Sequence, residues 1–139
     1  MEHRDITEAF APVFERTATG LDDLSWMTPD FVWDMSTFDG GIPNMFEAAY
    51  VGPDGYRAFV ATWTEAFAAW DVELVRASYV GEQVVTHARQ RTRGRVSGIE
   101  TEMEFGQVFT LAPGGQAQRM RMYGDPAEAA RVAEAEAWL

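Results

Sequence analysis

Residues 99–123 read Ile-Glu-Thr-Glu-Met-Glu-Phe-Gly-Gln-Val-Phe-Thr-Leu, then Ala-Pro-Gly-Gly, then Gln-Ala-Gln-Arg-Met-Arg-Met-Tyr. In an extended chain Ile99, Thr101, Met103, Phe105, Gln107, Phe109 and Leu111 share one face, and Glu100, Glu102 and Glu104 share the other. That alternation predicts a long antiparallel strand with one buried face. Pro113-Gly114-Gly115 supplies the turn, since proline presets its own φ and glycine accepts positive φ. A second strand over about 116–123 then folds back on the first.

Working outward, the rest of the chain reads as cover for one side of this hairpin. Val84 to Thr92 and Val72 to Tyr79 are further strands, joined by a turn at Gly81-Glu82. Gly52-Pro53-Asp54 starts a helix, with proline tolerated in the first turn and Tyr56, Phe59, Val60, Trp63, Phe67 and Trp70 repeating at threes and fours. Asp30 to Ser36 is a short strand, and residues 37–51 a loop that still carries Phe38, Met45, Phe46 and Tyr50, as a lid or an edge cover would. Residues 5–19 pattern as a helix that Pro12 should either kink or cause to begin later, and 21–26 as a second, short one. Asp125-Pro126-Ala127-Glu128 opens an alanine-rich helix that closes the chain at Trp138. Helices gathered on one side of a curved antiparallel sheet make an α+β fold, expected here as one domain over 1–139 with a conical cavity.

Composition narrows the function. A chain of 139 residues with 47% apolar and 13% aromatic side chains can bury a core without staples. With no cysteine it has no disulfide framework or thiolate metal site, which suits a reducing compartment. A net charge of −11 opposes nucleic acid as a partner. No apolar run approaches the ~20 residues that span a bilayer, and the N-terminus Met-Glu-His-Arg-Asp lacks a signal-like segment, so a cytoplasmic location is expected.

Among groups that could carry chemistry, Asp34 follows Trp33 between apolar neighbours. It reads either as a general base with its pKa raised by an apolar pocket, or as a surface carboxylate capping the loop at Ser36 and Thr37. His87 shares a strand face with Val85, Arg89 and Arg91. If that face is inward, it is a candidate base beside charges that favour its neutral form; otherwise it is a hydrogen-bonded histidine at the edge of the core. A single histidine without partners is no metal site. Gln107, on the buried face, must find a partner or donate to a ligand oxygen. Trp33, Tyr56, Trp63 and Phe109 read as cavity wall and core. Arg93-Gly94-Arg95 lacks the lysine and following helix of a phosphate cradle.

The order of elements resembles the nuclear transport factor 2-like superfamily and, within it, the SnoaL-like domains. The pieces that carry it are Pro29-Asp30-Phe31-Val32-Trp33-Asp34, Gly52-Pro53-Asp54-Gly55-Tyr56-Arg57-Ala58-Phe59, Phe109-Thr110-Leu111, and Arg119-Met120-Arg121-Met122-Tyr123 with Asp125. The resemblance spans nearly the whole chain. It implies a cone-shaped sheet, a homodimer through the outer sheet face, a small-molecule ligand and no cofactor. It also places Tyr123 in the cavity, with Arg89, Arg119 and Arg121 available to hold an anion or enolate. Periodicity alone buries Met120 and Met122 and exposes the arginines, which could then pair with Glu100, Glu102 or Glu104.

The fold hosts isomerases, cyclases, epoxide hydrolases and binding proteins, so the site must decide. Steroid isomerisation of the family's kind is disfavoured, because Met35 stands at the base position, Val13 or Phe14 where a tyrosine is needed, and Gln107 at the acid. The epoxide hydrolase-like alternative has Arg89 and Arg91 without a spaced aspartate. What survives is cyclase- or isomerase-type acid–base chemistry by Asp34 or His87 on an apolar, carbonyl-bearing substrate, with Gln107 and Arg121 holding the oxyanion. The alternative is a non-catalytic binding or accessory protein using the same cavity.

Overall fold

A computed structural model describes residues 3–17, 20–38 and 46–137. In chain order these form β1 (His3–Asp5), α1 (Thr7–Thr17), β2 (Met27–Asp34), β3 (Ala49–Val51), α2 (Gly52–Ala66), β4 (Phe67–Val80), β5 (Gln83–Gly94), β6 (Glu100–Leu111), β7 (Ala117–Tyr123) and α3 (Pro126–Ala137). The strands make one curved, unclosed sheet in the order β1-β4-β5-β6-β7-β2-β3, in a mixed α+β architecture. All pairings are antiparallel except β2 with β7, where Trp33 lies beside Met120 and Asp34 beside Arg121.

The strands of the sequence reading are present, with β4 and β5 longer than expected, β2 starting and ending earlier, and β6 and β7 close to their expected bounds. β4 begins at Phe67, so Phe67 and Trp70 belong to the sheet and not to the preceding helix. Their spacing from Trp63 suits a helix equally well, and the rings still gather: Trp63 stacks on Trp70 with centroids 5.3 Å apart and meets Phe67 at 4.8 Å. The short helix expected over 21–26 is irregular turn instead. β2 starts at Met27 and runs through Pro29, whose missing N–H falls where the register with β7 shifts between Met27 and Val32. Of the expected loop 37–51, residues 49–51 form β3, and Phe38 and Phe46 pack on the core. Gly40, Gly41, Pro43 and Met45 of that loop, and Trp138, lie outside the described residues.

Two apolar layers result, one on each face of the sheet. The larger, inner core joins α1 and α2 to Phe31, Trp33, Leu74, Phe105, Phe109, Met120 and Met122. The smaller joins α3, through Ala129 and Ala133, to Val80, Val108 and Tyr123. α3 is capped as its sequence suggests, with the Ala127 N–H donated to Asp125 Oδ1 at 2.9 Å. This outer layer explains why Gly106 and Val108 are buried along with Phe105, Gln107 and Phe109, whereas Ile99 is 64% exposed. Burial fails to alternate at both ends of the strand: helices on both faces bury 105–109 together, and at the uncovered start Thr101 is exposed alongside Glu100, Glu102 and Glu104.

Candidate active site

Between the inner face of the sheet and the two helices lies a cavity of about 160 Å³. α1 contributes Phe10 and Phe14, α2 contributes Tyr56, Phe59 and Trp63, and the strands contribute Trp33, Trp70, Val84, Gln90, Phe105, Gln107, Phe109 and Met122. The helices supply this wall because their apolar stripes face the sheet: Tyr56, Phe59, Val60 and Trp63 are all buried at helical spacing. The rings interlock, Trp33 meeting Tyr56 at 5.1 Å and Phe59 at 4.8 Å, and Trp26 standing edge-on to Tyr56 at 5.3 Å. Pairs at such separations add to burial and hold the wall in one arrangement.

The polar groups of this wall are few. Gln107 is 3% exposed, and its Oε1 accepts the hydroxyl proton of Thr86 at 2.9 Å. Gln90 accepts from the Trp70 indole, Nε1 to Oε1, at 2.9 Å. An indole nitrogen only donates, so that contact turns the Gln90 NH₂ the other way. The indole N–H groups of Trp26, Trp33 and Trp63 are buried with no acceptor among the described residues. Burial pushes the Tyr56 phenol well above its ordinary range, keeping it protonated. No carboxylate or imidazole is among the described lining residues.

On the opposite face of the sheet lies a charged surface. Asp34 accepts from Arg119 Nη2 at 2.8 Å and from the backbone and hydroxyl of Ser36 at 2.9 and 2.6 Å. Partial burial works to raise its pKa, but the Ser36 and Arg119 hydrogen bonds outweigh that and hold it below the ordinary 3.8. His87 contacts Glu104 at 2.6 Å; Arg89 reaches Glu102 at 3.2 Å, and Arg91 the same carboxylate at 3.1 Å. Arg121 forms a two-pronged pair with Glu136 of α3.

The sequence profile of the SnoaL-like domain matches residues 5–120. The chain belongs to the SnoaL-like domain family. A protein classed as a SnoaL-like polyketide cyclase, from Jannaschia sp. CCS1, is 21% identical and superposes with a TM-score of 0.62, over 94% of each chain. A nuclear transport factor 2-like protein of unknown function from Burkholderia pseudomallei is 23% identical over 79% of this chain and 81% of that one, with a TM-score of 0.61. TerC, co-crystallised with polyporic acid, is 20% identical over 80% and 82%, with a TM-score of 0.60. At these identities the likeness is one of fold. No curated protein sequence matches the chain.

Within this SnoaL-like domain, Trp33, Tyr56, Trp63, Gln107 and Phe109 come together on the cavity. Asp34, His87, Arg89, Arg121 and Tyr123 do not. The register fixes this: Trp33 and Met120 face inward, so Asp34, Arg119 and Arg121 face outward. Val84, Ala88 and Gln90 face inward, so Val85, His87 and Arg89 face outward. Tyr123 is corrected from cavity wall to the core beneath α3; of the two readings of Asp34, the raised pKa gives way to a lowered one, and the carboxylate that caps the loop at Ser36 is the one present. Here the Met-Arg alternation of β7 reads the faces correctly and the family-based placement does not. Gln90 is the wall residue most easily missed, since arginines flank it; the apolar Val84 and Ala88 on its own parity are the signal that finds it.

Proposed function

We propose that this SnoaL-like domain binds a small, neutral, largely apolar molecule bearing a carbonyl group in the cavity between α1, α2 and the sheet. The observation that carries this reading is the wall itself: aromatic rings with a few amide and indole groups, and no ionised side chain among its described residues. A dry apolar cavity of ~150 Å³ takes up a single benzene-sized ring, and 160 Å³ is of that order. The co-crystal of TerC with polyporic acid supports small-molecule binding on this fold. A second reading, cyclase- or isomerase-type catalysis, is favoured by the side-chain amides of Gln90 and Gln107 in the wall, whose N–H groups suit stabilisation of a developing enolate. In neither reading do Asp34 or His87 touch the ligand, and an epoxide hydrolase-like reaction finds no acidic set in the described wall.

Titrating the protein with acetophenone, followed by calorimetry, tests the proposal. Saturable one-site binding is expected. Val84→Phe, which puts a ring into the cavity, should abolish it, while the double variant Asp34→Asn, His87→Ala should leave the affinity within about twofold. Failure to saturate, or loss of affinity in the double variant, refutes the assignment.

A further inference from the structure

We propose that the cavity distinguishes a carbonyl from the alcohol at the same position, with Gln107 and Gln90 as the residues that decide. This rests on the binding reading above and adds to it the oxidation level of the ligand. Both amides line the cavity, and both turn their oxygen to a donor of the protein: Gln107 Oε1 accepts from Thr86, and Gln90 Oε1 accepts from Trp70. Each therefore presents an NH₂ group that has no partner among the described residues. The neighbouring indoles of Trp26, Trp33 and Trp63 bring buried N–H groups and no acceptor. An indole N–H cannot accept, and the sheet's backbone carbonyls are taken up in its ladders. The wall thus offers the two amide NH₂ groups as donors and is poor in acceptors.

A carbonyl oxygen brings two acceptor sites and no proton, which matches such a wall. An alcohol brings an oxygen that can accept and also an O–H that needs an acceptor it does not find.

Three probes of one shape test this on the full chain: acetophenone, α-methylbenzyl alcohol and ethylbenzene, titrated by calorimetry. Because a buried O–H left without an acceptor forfeits on the order of a tenfold or greater factor, acetophenone should bind at least about tenfold more tightly than the alcohol. The infrared C=O stretch of bound acetophenone should move to lower wavenumber. In Gln107→Met and Gln90→Met the preference should shrink below about threefold while ethylbenzene affinity holds. Should those variants fail to fold, the wild-type ratio and the carbonyl stretch decide alone. Equal affinity for ketone and alcohol overturns the selection and leaves the binding reading standing. No saturable binding by any probe overturns both, and a preference that survives both substitutions overturns the assignment to these glutamines.

Discussion

Asp34 shows how one carboxylate is fixed by the side of the strand it occupies. Its side chain is 15% exposed, yet two bonds from Ser36 and one from Arg119 keep it ionised. Its folded pKa lies below the ordinary 3.8, so its contribution to stability is present above that value and lost as pH falls through the depressed one. Asp34→Asn should therefore destabilise the protein near neutral pH, by up to about 1 kcal/mol given the half-exposed arginine partner. The gap between variant and wild type should close in strongly acid solution, which urea unfolding across pH would show. Sequence alone leaves this residue ambiguous, because its face depends on a register with a strand more than eighty positions later. Gln107 is legible from its place in an apolar alternation; the direction in which its amide points is not, since Thr86 sets it from another strand.

The elements divide into those whose pattern states their fate and those whose surroundings override it. α2 is legible from its proline start and its apolar stripe, and the β6–β7 hairpin from its alternation and glycine turn. The α2–β4 junction is not, because Trp63, Phe67 and Trp70 satisfy helical spacing, and only the ladder with β5 claims the last two for the sheet. Arg95 then serves that junction, donating to the Thr64 and Phe67 carbonyls at 2.7 and 3.2 Å at the helix's C-terminal end. On the outer face, α3 lies so close to β6 that a Cβ on Gly106 would stand 2.7 Å from the Ala129 Cβ and 2.9 Å from the Pro126 Cα. Gly106→Ala should cost about 1–3 kcal/mol through that overlap, read as a lower urea midpoint. Ligand affinity of the folded variant should stay unchanged, because α3 and the cavity lie on opposite sides of the sheet.

For the whole molecule, the outer surface is where charge gathers. The expected homodimer through this face is a proposal, and its chemistry is set by what α3 leaves open, namely Arg89 and Arg91 with Glu102 and Glu104. Those charges pair within one chain, and two copies of net charge −11 repel over a range that about 0.1 M salt cuts to ~10 Å, so the dimer should tighten as salt rises. Sedimentation at low and high ionic strength checks this; a dimer indifferent to salt would overturn it. Among the described residues no helix is long and apolar enough to cross a membrane. The parallel pairing of β2 with β7 reaches further than the site. β3 and α2 follow soon after β2 and cover one of its edges and Trp33, but its other edge has a partner only once residues 117–123 exist, so during synthesis that edge stays open for almost the whole remaining chain. Closing so distant a contact is entropically slow, which makes this seam the late step of folding and the stretch most in need of protection from its own stickiness before it closes.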